Sequence, residues 1–126
     1  MKQKGFTLIE LIAVIVILGL IALVVFPAIN SVINDSRESA YQSQIRIIEK
    51  AAKEYYLENY KDLPEQTNNA CTAISVETLI EKGFISEEEL NENKNIINPK
   101  TNESLTGSVQ VCYNSNQYNY EFEPEN

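Results

Sequence analysis

"GFTLIELIAVIVILGLIALVVFPAIN", Gly5 to Asn30, decides the fold. From Leu11 to Phe26 sixteen residues pass without a charge or a strongly polar group. Counted from Phe6 the run is twenty-one residues, interrupted by Thr7 and Glu10. At about 1.5 Å per helical residue the longer run spans roughly 30 Å, the thickness of a bilayer's hydrocarbon core. Lys2 and Lys4 precede it. By the positive-inside rule the first residues then stay in the cytoplasm and the rest of the chain lies outside. Of the chain's 18 acidic and 10 basic residues, Glu10, Lys2 and Lys4 fall before Asn30, and the remaining 17 and 8 give the downstream part a net charge of −9.

A carboxylate inside such a segment needs an explanation. At the centre of a transmembrane helix it costs about 2.5–3.5 kcal/mol on insertion scales, and less near an end. A secretory signal peptide fits the basic start, but no small-x-small cleavage site follows the run, which ends Phe26-Pro27-Ala28-Ile29-Asn30. A plain single-pass anchor explains the length and leaves Glu10 without a role.

A third reading uses every unusual residue. "KGFTLIEL", Lys4 to Leu11, resembles the processing site of type IV prepilins and pseudopilins. The resemblance is specific over residues 4–30 and diffuse beyond. It implies cleavage by a membrane peptidase after Gly5 and N-methylation of the new terminus, Phe6. It implies that Glu10 pairs with the N-terminal amine of a neighbouring subunit, and that Gly19 and Pro27 are helix-weakening positions of the assembly helix. Two buried opposite charges are tolerable when paired and costly when one is removed, so such a pair would set the register of a filament. The bland alternative places the Glu10 carboxylate at the cytoplasmic headgroups, favoured by the positive end of the helix.

Beyond Pro27 the helical period resumes. Ile29, Ile33, Ser36, Ala40, Gln44, Ile47, Ile48, Ala51 and Tyr55 define one stripe, with a second register through Tyr41, Ile45, Ala52 and Tyr56. The opposite face carries Arg37, Glu38, Arg46, Glu49, Lys50, Lys53, Glu54 and Glu58, where Glu49 and Lys53 stand four apart as a helix-supporting pair. Proline at position 27 removes a backbone donor and should bend the helix. A helix from Phe6 to about Tyr60, ending before Pro64, would be roughly 80 Å long. Tyr55, Tyr56 and Tyr60 read as core packing in preference to a stacking surface for nucleic acid or sugar.

In the C-terminal half, Thr67 to Ala73 reads as a polar loop carrying Cys71. Ser75 caps a short helix, "VETLIEK", closed by Gly83. Ser86 with Glu89 reads as a capping box. Glu87, Glu88 and Glu89 point to different faces and lack calcium-loop spacing, so they read as a solvated turn and no metal site is expected. "SVQVCY" and "QYNYEF" alternate around Asn114-Ser115-Asn116 and form a hairpin, with a third short strand expected before Gly107. Cys71 and Cys112 beyond a membrane segment point to an oxidising location and one disulfide; two free thiols in a cytosolic domain are the alternative.

The expected fold is α+β. A long, protruding N-terminal helix packs its second half on a small domain of short helices and antiparallel strands, the "lollipop" of the pilins it resembles. The expected organisation is a leader (1–5), a transmembrane and assembly helix (6–30) and a globular domain (31–126), the last comprising the amphipathic half-helix (31–60) and the loop, short helices and hairpin (61–126). The expected function is a structural subunit of a type IV pilus or pseudopilus, membrane-anchored with its domain outside and then assembled into a surface filament. The partners the resemblance implies are copies of itself, other pilins, the prepilin peptidase, and a membrane assembly platform with its cytoplasmic ATPase. Histidine is absent, which removes the commonest general base and metal ligand. With no catalytic motif either, neither enzyme activity nor a cofactor is expected. The acidic surface gives no support to nucleic-acid binding. The rival reading is a membrane-tethered binding or adhesin module, and cleavage after Gly5 separates the two.

Overall fold

A computed structural model describes residues 5–125. Its elements run α1 (Leu8–Glu58), β1 (Ala70–Ser75), α2 (Val76–Glu81), β2 (Gly107–Asn114) and β3 (Gln117–Pro124), with single 3-10 turns at Tyr60–Asp62 and Glu87–Glu89. Contacts divide the chain into two compact units that meet between Ser36 and Arg37. Helix α1 contributes to both. The leader residues Met1–Lys4 of the expected organisation lie outside the described residues.

In the first unit the apolar residues face outward all round the helix. Leu8, Ile12, Ile15, Leu18, Leu23 and Phe26 are all more than half exposed. A helix that is apolar on every side cannot remain in water. It is long and apolar enough to cross a membrane. Pro27 lies inside it without ending it.

In the second unit, from Arg37, the helix is amphipathic. Ile48, Ala51, Ala52 and Tyr56 are its buried positions, one stripe at helical spacing. They share one core with Ile74 of β1, Val76 and Leu79 of α2, Val109 and Val111 of β2 and Phe122 of β3, together with Ile85, Ile96 and Leu105. The expected α+β architecture, a long helix whose second half packs on short helices and a small antiparallel sheet, is what the chain adopts.

The sheet has the order β1-β2-β3, antiparallel throughout. Ser115 and Asn116 both have positive φ (52° and 63°), so the β2–β3 turn is a two-residue type whose twist matches the strands. Gly107 opens β2 at φ 149°, where an added Cβ would collide with the Glu123 carbonyl oxygen. Only glycine fits that approach.

The sequence reading needs correction at several points. The third strand expected before Gly107 is β1, which overlaps the Thr67–Ala73 segment read as a polar loop and runs on to Ser75; Ala70 and Thr72 are the half-buried side of this edge strand. Ser75 caps α2 as expected, accepting from the Thr78 amide. Gly83 (φ 79°) closes it with the paired bonds Phe84 N–H to Leu79 O and Gly83 N–H to Ile80 O. Ser86 caps the next turn through the Glu88 amide, not that of Glu89, because the turn is 3-10. Of the tyrosines read as core, Tyr56 is buried and Tyr55 half-buried, but Tyr60 is 66% exposed, since the helix ends at Glu58 and the chain turns away.

Candidate functional site

The head of α1 concentrates the residues to which the sequence reading gave roles. Thr7 is the N-cap: its carbonyl accepts the first helical bond, from the Leu11 amide at 3.2 Å. Its hydroxyl accepts from the Glu10 amide at 3.2 Å, and Glu10 Oε2 accepts from the Thr7 amide at 3.4 Å. This is a reciprocal capping box, satisfying two of the amides that a helix start leaves without partners. The carboxylate thus has a partner within its own chain at the positive end of the helix. The sequence reading passed over Thr7, although the pattern Thr-x-x-Glu is the signature of this box.

Gly5 and Phe6 stand outside the helix and are exposed, Phe6 by 91%. Beyond the adjoining residues and the helix's own backbone, nothing lies within 4 Å of a Cβ built on Gly5 or on Gly19. Neither glycine is therefore demanded by packing within the chain. Gly5, Phe6, Glu10, Gly19 and Pro27 are brought together only in that they occupy successive levels of one helix and its entry.

In the second unit Cys71 and Cys112 form a disulfide with Cα atoms 4.1 Å apart. They are direct partners across β1 and β2. The bridge therefore joins two adjacent strands, not a hairpin to a loop as the sequence reading had it. Its sulfurs lie on the sheet face away from Val109 and Val111, as the alternation of β2 requires.

A second tie fixes the segment between the Glu87–Glu89 turn and β2 to the helix. Asn91 Oδ1 accepts from the amides of Asn93 and Asn95, and Asn98 Oδ1 from that of Lys100, so asparagine side chains shape the loop. Ile96 and Leu105 anchor it in the core. At its tip Lys100 forms an ion pair with Glu38 and lies 4.9 Å from the centre of the Tyr41 ring. Hydrogen bonds from Lys100 and Gln42 hold the Glu38 carboxyl below its ordinary range. The bond to Glu38 raises Lys100 correspondingly. Glu38, read as a solvated position, is thus a tether point. Glu49 does not pair with Lys53: among the described residues the ion pair within 4 Å is Glu38–Lys100. Partial burial raises Glu49 above the usual carboxylate range, against the opposing pull of the Phe122 amide and with a further push from Glu121.

Among the described residues no three of His, Cys, Asp and Glu are grouped as metal ligands would be. What the molecule offers is an unpartnered apolar helix with a capped carboxylate at its head, and a small stapled domain on the same helix. That combination leaves an apolar helix surface that a bilayer or other chains must cover.

Residues 1–26 match the model of the prokaryotic N-terminal methylation motif. Over 59 residues the chain is 37% identical to the type II secretion system core protein G of Pseudomonas aeruginosa, a match covering 47% of this chain and 42% of that protein. No solved structure matches the chain. Over these stretches the chain is similar to type IV pilins and pseudopilins; each match covers less than half of it, and the aligned stretch spans less than half of the secretion protein's length.

Proposed function

We propose that the chain is the structural subunit of a type IV pilus or related pseudopilus. It waits in the membrane through the first half of α1 and polymerises through that same helix once residues 1–5 are removed. The observation that carries this reading is the outward-facing apolar helix with Glu10 at its head. Such a surface is stable only in a bilayer or among copies of itself. Cleavage after Gly5 creates a charged amine on Phe6, next to the capping box. In the membrane Glu10 caps its own helix; in the fibre it meets the amine of a neighbouring copy and sets the axial register, as a buried polar residue does in a coiled coil. Gly19 and Pro27 are the weak points at which the helix adjusts to its neighbours.

The partners of this reading are other pilins, the prepilin peptidase and a membrane assembly platform driven by a cytoplasmic ATPase. The domain lies outside the membrane, where the disulfide persists. Electron microscopy of cells with and without the protein tests the reading: fibres labelled by an antibody to residues 61–125 are expected only in its presence. Unlabelled fibres in both strains would leave the chain a tethered module instead.

A further inference from the structure

Helix α1 carries a second face that the domain leaves uncovered. Arg46, Lys50, Lys53 and Leu57 follow one another at spacings of four, three and four, which places them on one stripe opposite the buried positions Ile48, Ala51, Ala52 and Tyr56. All four are exposed, and Leu57, an aliphatic residue, is 71% exposed. None of the three cations lies within 4 Å of a carboxylate among the described residues. They are three of the eight basic residues in a part of the chain whose net charge is −9.

The same unit holds a surface of opposite character. A half-open cleft of about 750 Å³ between α2 and the following turns is lined by four carboxylates, Glu77, Glu81, Glu87 and Glu92, against one cation, Lys94, with apolar groups from Ile80, Ile85 and Leu90. The stripe presents cations ending in one exposed leucine; the cleft presents a net excess of three carboxylates beside apolar groups.

We propose that the basic stripe of one copy docks on the carboxylate-lined cleft of the next, with Leu57 against its apolar groups and Lys50 and Lys53 against its carboxylates. The occupant is a second copy because the complementary surface is present on the chain itself. Two different patches meeting head to tail form a contact that need not close, and so propagate a fibre where a two-fold contact would stop at a dimer. Opposed patches of this kind fix register and exclude wrong pairings. The inference rests on the filament reading and adds a second contact, outside the apolar segment, that specifies how copies are arranged.

The test uses the full chain in fibre-forming cells. Lys50→Glu with Lys53→Glu, and separately Glu81→Lys with Glu87→Lys, should each lower the yield of sheared fibres about tenfold, as like charges come to face each other. Leader removal and the disulfide should be unaffected. Combining the four substitutions should restore fibres. In wild-type fibres, carbodiimide should join Lys50 or Lys53 to a cleft carboxylate in a product of dimer size. Unimpaired Lys50→Glu/Lys53→Glu fibres, a four-fold variant as poor as its parents, or dimer products lacking that bond would overturn the contact alone. Absence of wild-type fibres would overturn the filament reading and this contact with it.

Discussion

The Thr7 amide donates to the Glu10 carboxylate while the Glu10 amide donates to the Thr7 hydroxyl, so the acid inside the apolar segment caps the helix that carries it. A cap of this kind contributes about 0.5–2 kcal/mol. It gives Glu10 a role as hydrogen-bond acceptor within its own chain, distinct from the charge that the proposed filament contact requires.

Glu10→Gln divides those roles. The amide oxygen can still accept from Thr7, but it carries no charge. We expect Glu10→Gln and Glu10→Ala to be inserted and processed normally yet to yield few fibres when no wild-type copies are present. By analogy with buried ion pairs, leaving the neighbour's amine unpaired costs roughly 3–5 kcal/mol. Fibre yield relative to the processed membrane pool is the measurement. If Glu10→Gln assembles as the wild type does, capping is the whole function of Glu10.

Cys71 and Cys112 tie an edge strand to the centre of the sheet. Among the described strands β1 pairs with β2 alone, and the bridge adds a covalent tie to an end already held by the Asn69 amide, which donates to Tyr113 O and Asn114 Oδ1. Replacing both cysteines by serine should destabilise the domain by about 2–4 kcal/mol, read as a fall in melting temperature. Proteolysis should then concentrate near Asn68, while processing at Gly5 continues. Two reactive thiols in unreduced, denatured protein would contradict the bridge.

Gly107 and Gly19 make a contrasting pair. Gly107→Ala places a Cβ against the Glu123 carbonyl at positive φ and should cost about 1–3 kcal/mol of domain stability. An added Cβ at Gly19 meets nothing beyond the adjoining residues and the helix's own backbone. Gly19→Ala should leave the domain's melting unchanged and show any effect in assembly.

The Glu38–Lys100 tether should depend on pH. A carboxylate whose folded pKa is lowered stabilises the folded state above its unfolded value and loses that contribution as pH falls through the lowered one. Lys100, raised, holds its side of the pair until pH rises through its own elevated value. Between those limits the loop tip should be pinned to Tyr41. Below the ordinary glutamate range, amide protection at residues 98–103, taken relative to the intrinsic exchange rate at each pH, should fall in the wild type. In Lys100→Ala it should be low already at neutral pH. Protection that does not change with pH in the wild type would show that the ion pair does not hold the loop.

Much of this was legible in the sequence because strong local signals agreed with the fold. The twenty-one-residue run, the Ser75 and Gly83 helix boundaries, and the alternation either side of Ser115-Asn116 each follow from backbone chemistry that acts over a few residues. The place of β1 was not legible: "ACTAIS" is short, with two alanines and no aromatic, and its pairing is fixed by a partner about forty residues away. The Glu38–Lys100 tether was hidden for the same reason, since only the fold brings residue 100 to the helix. Thr7 was legible and overlooked: beside a resemblance that gave Glu10 an intermolecular role, the capping pattern drew no notice.

The most direct test of the central claim is the intact mass of this protein in a purified, sheared fibre fraction. The account predicts a chain beginning at Phe6, lighter by Met1–Gly5, heavier by one methyl group, and lighter by two hydrogens for the disulfide. A fibre-associated chain that retains its first five residues, or a fibre fraction that lacks the chain while the membrane holds it, would contradict the account.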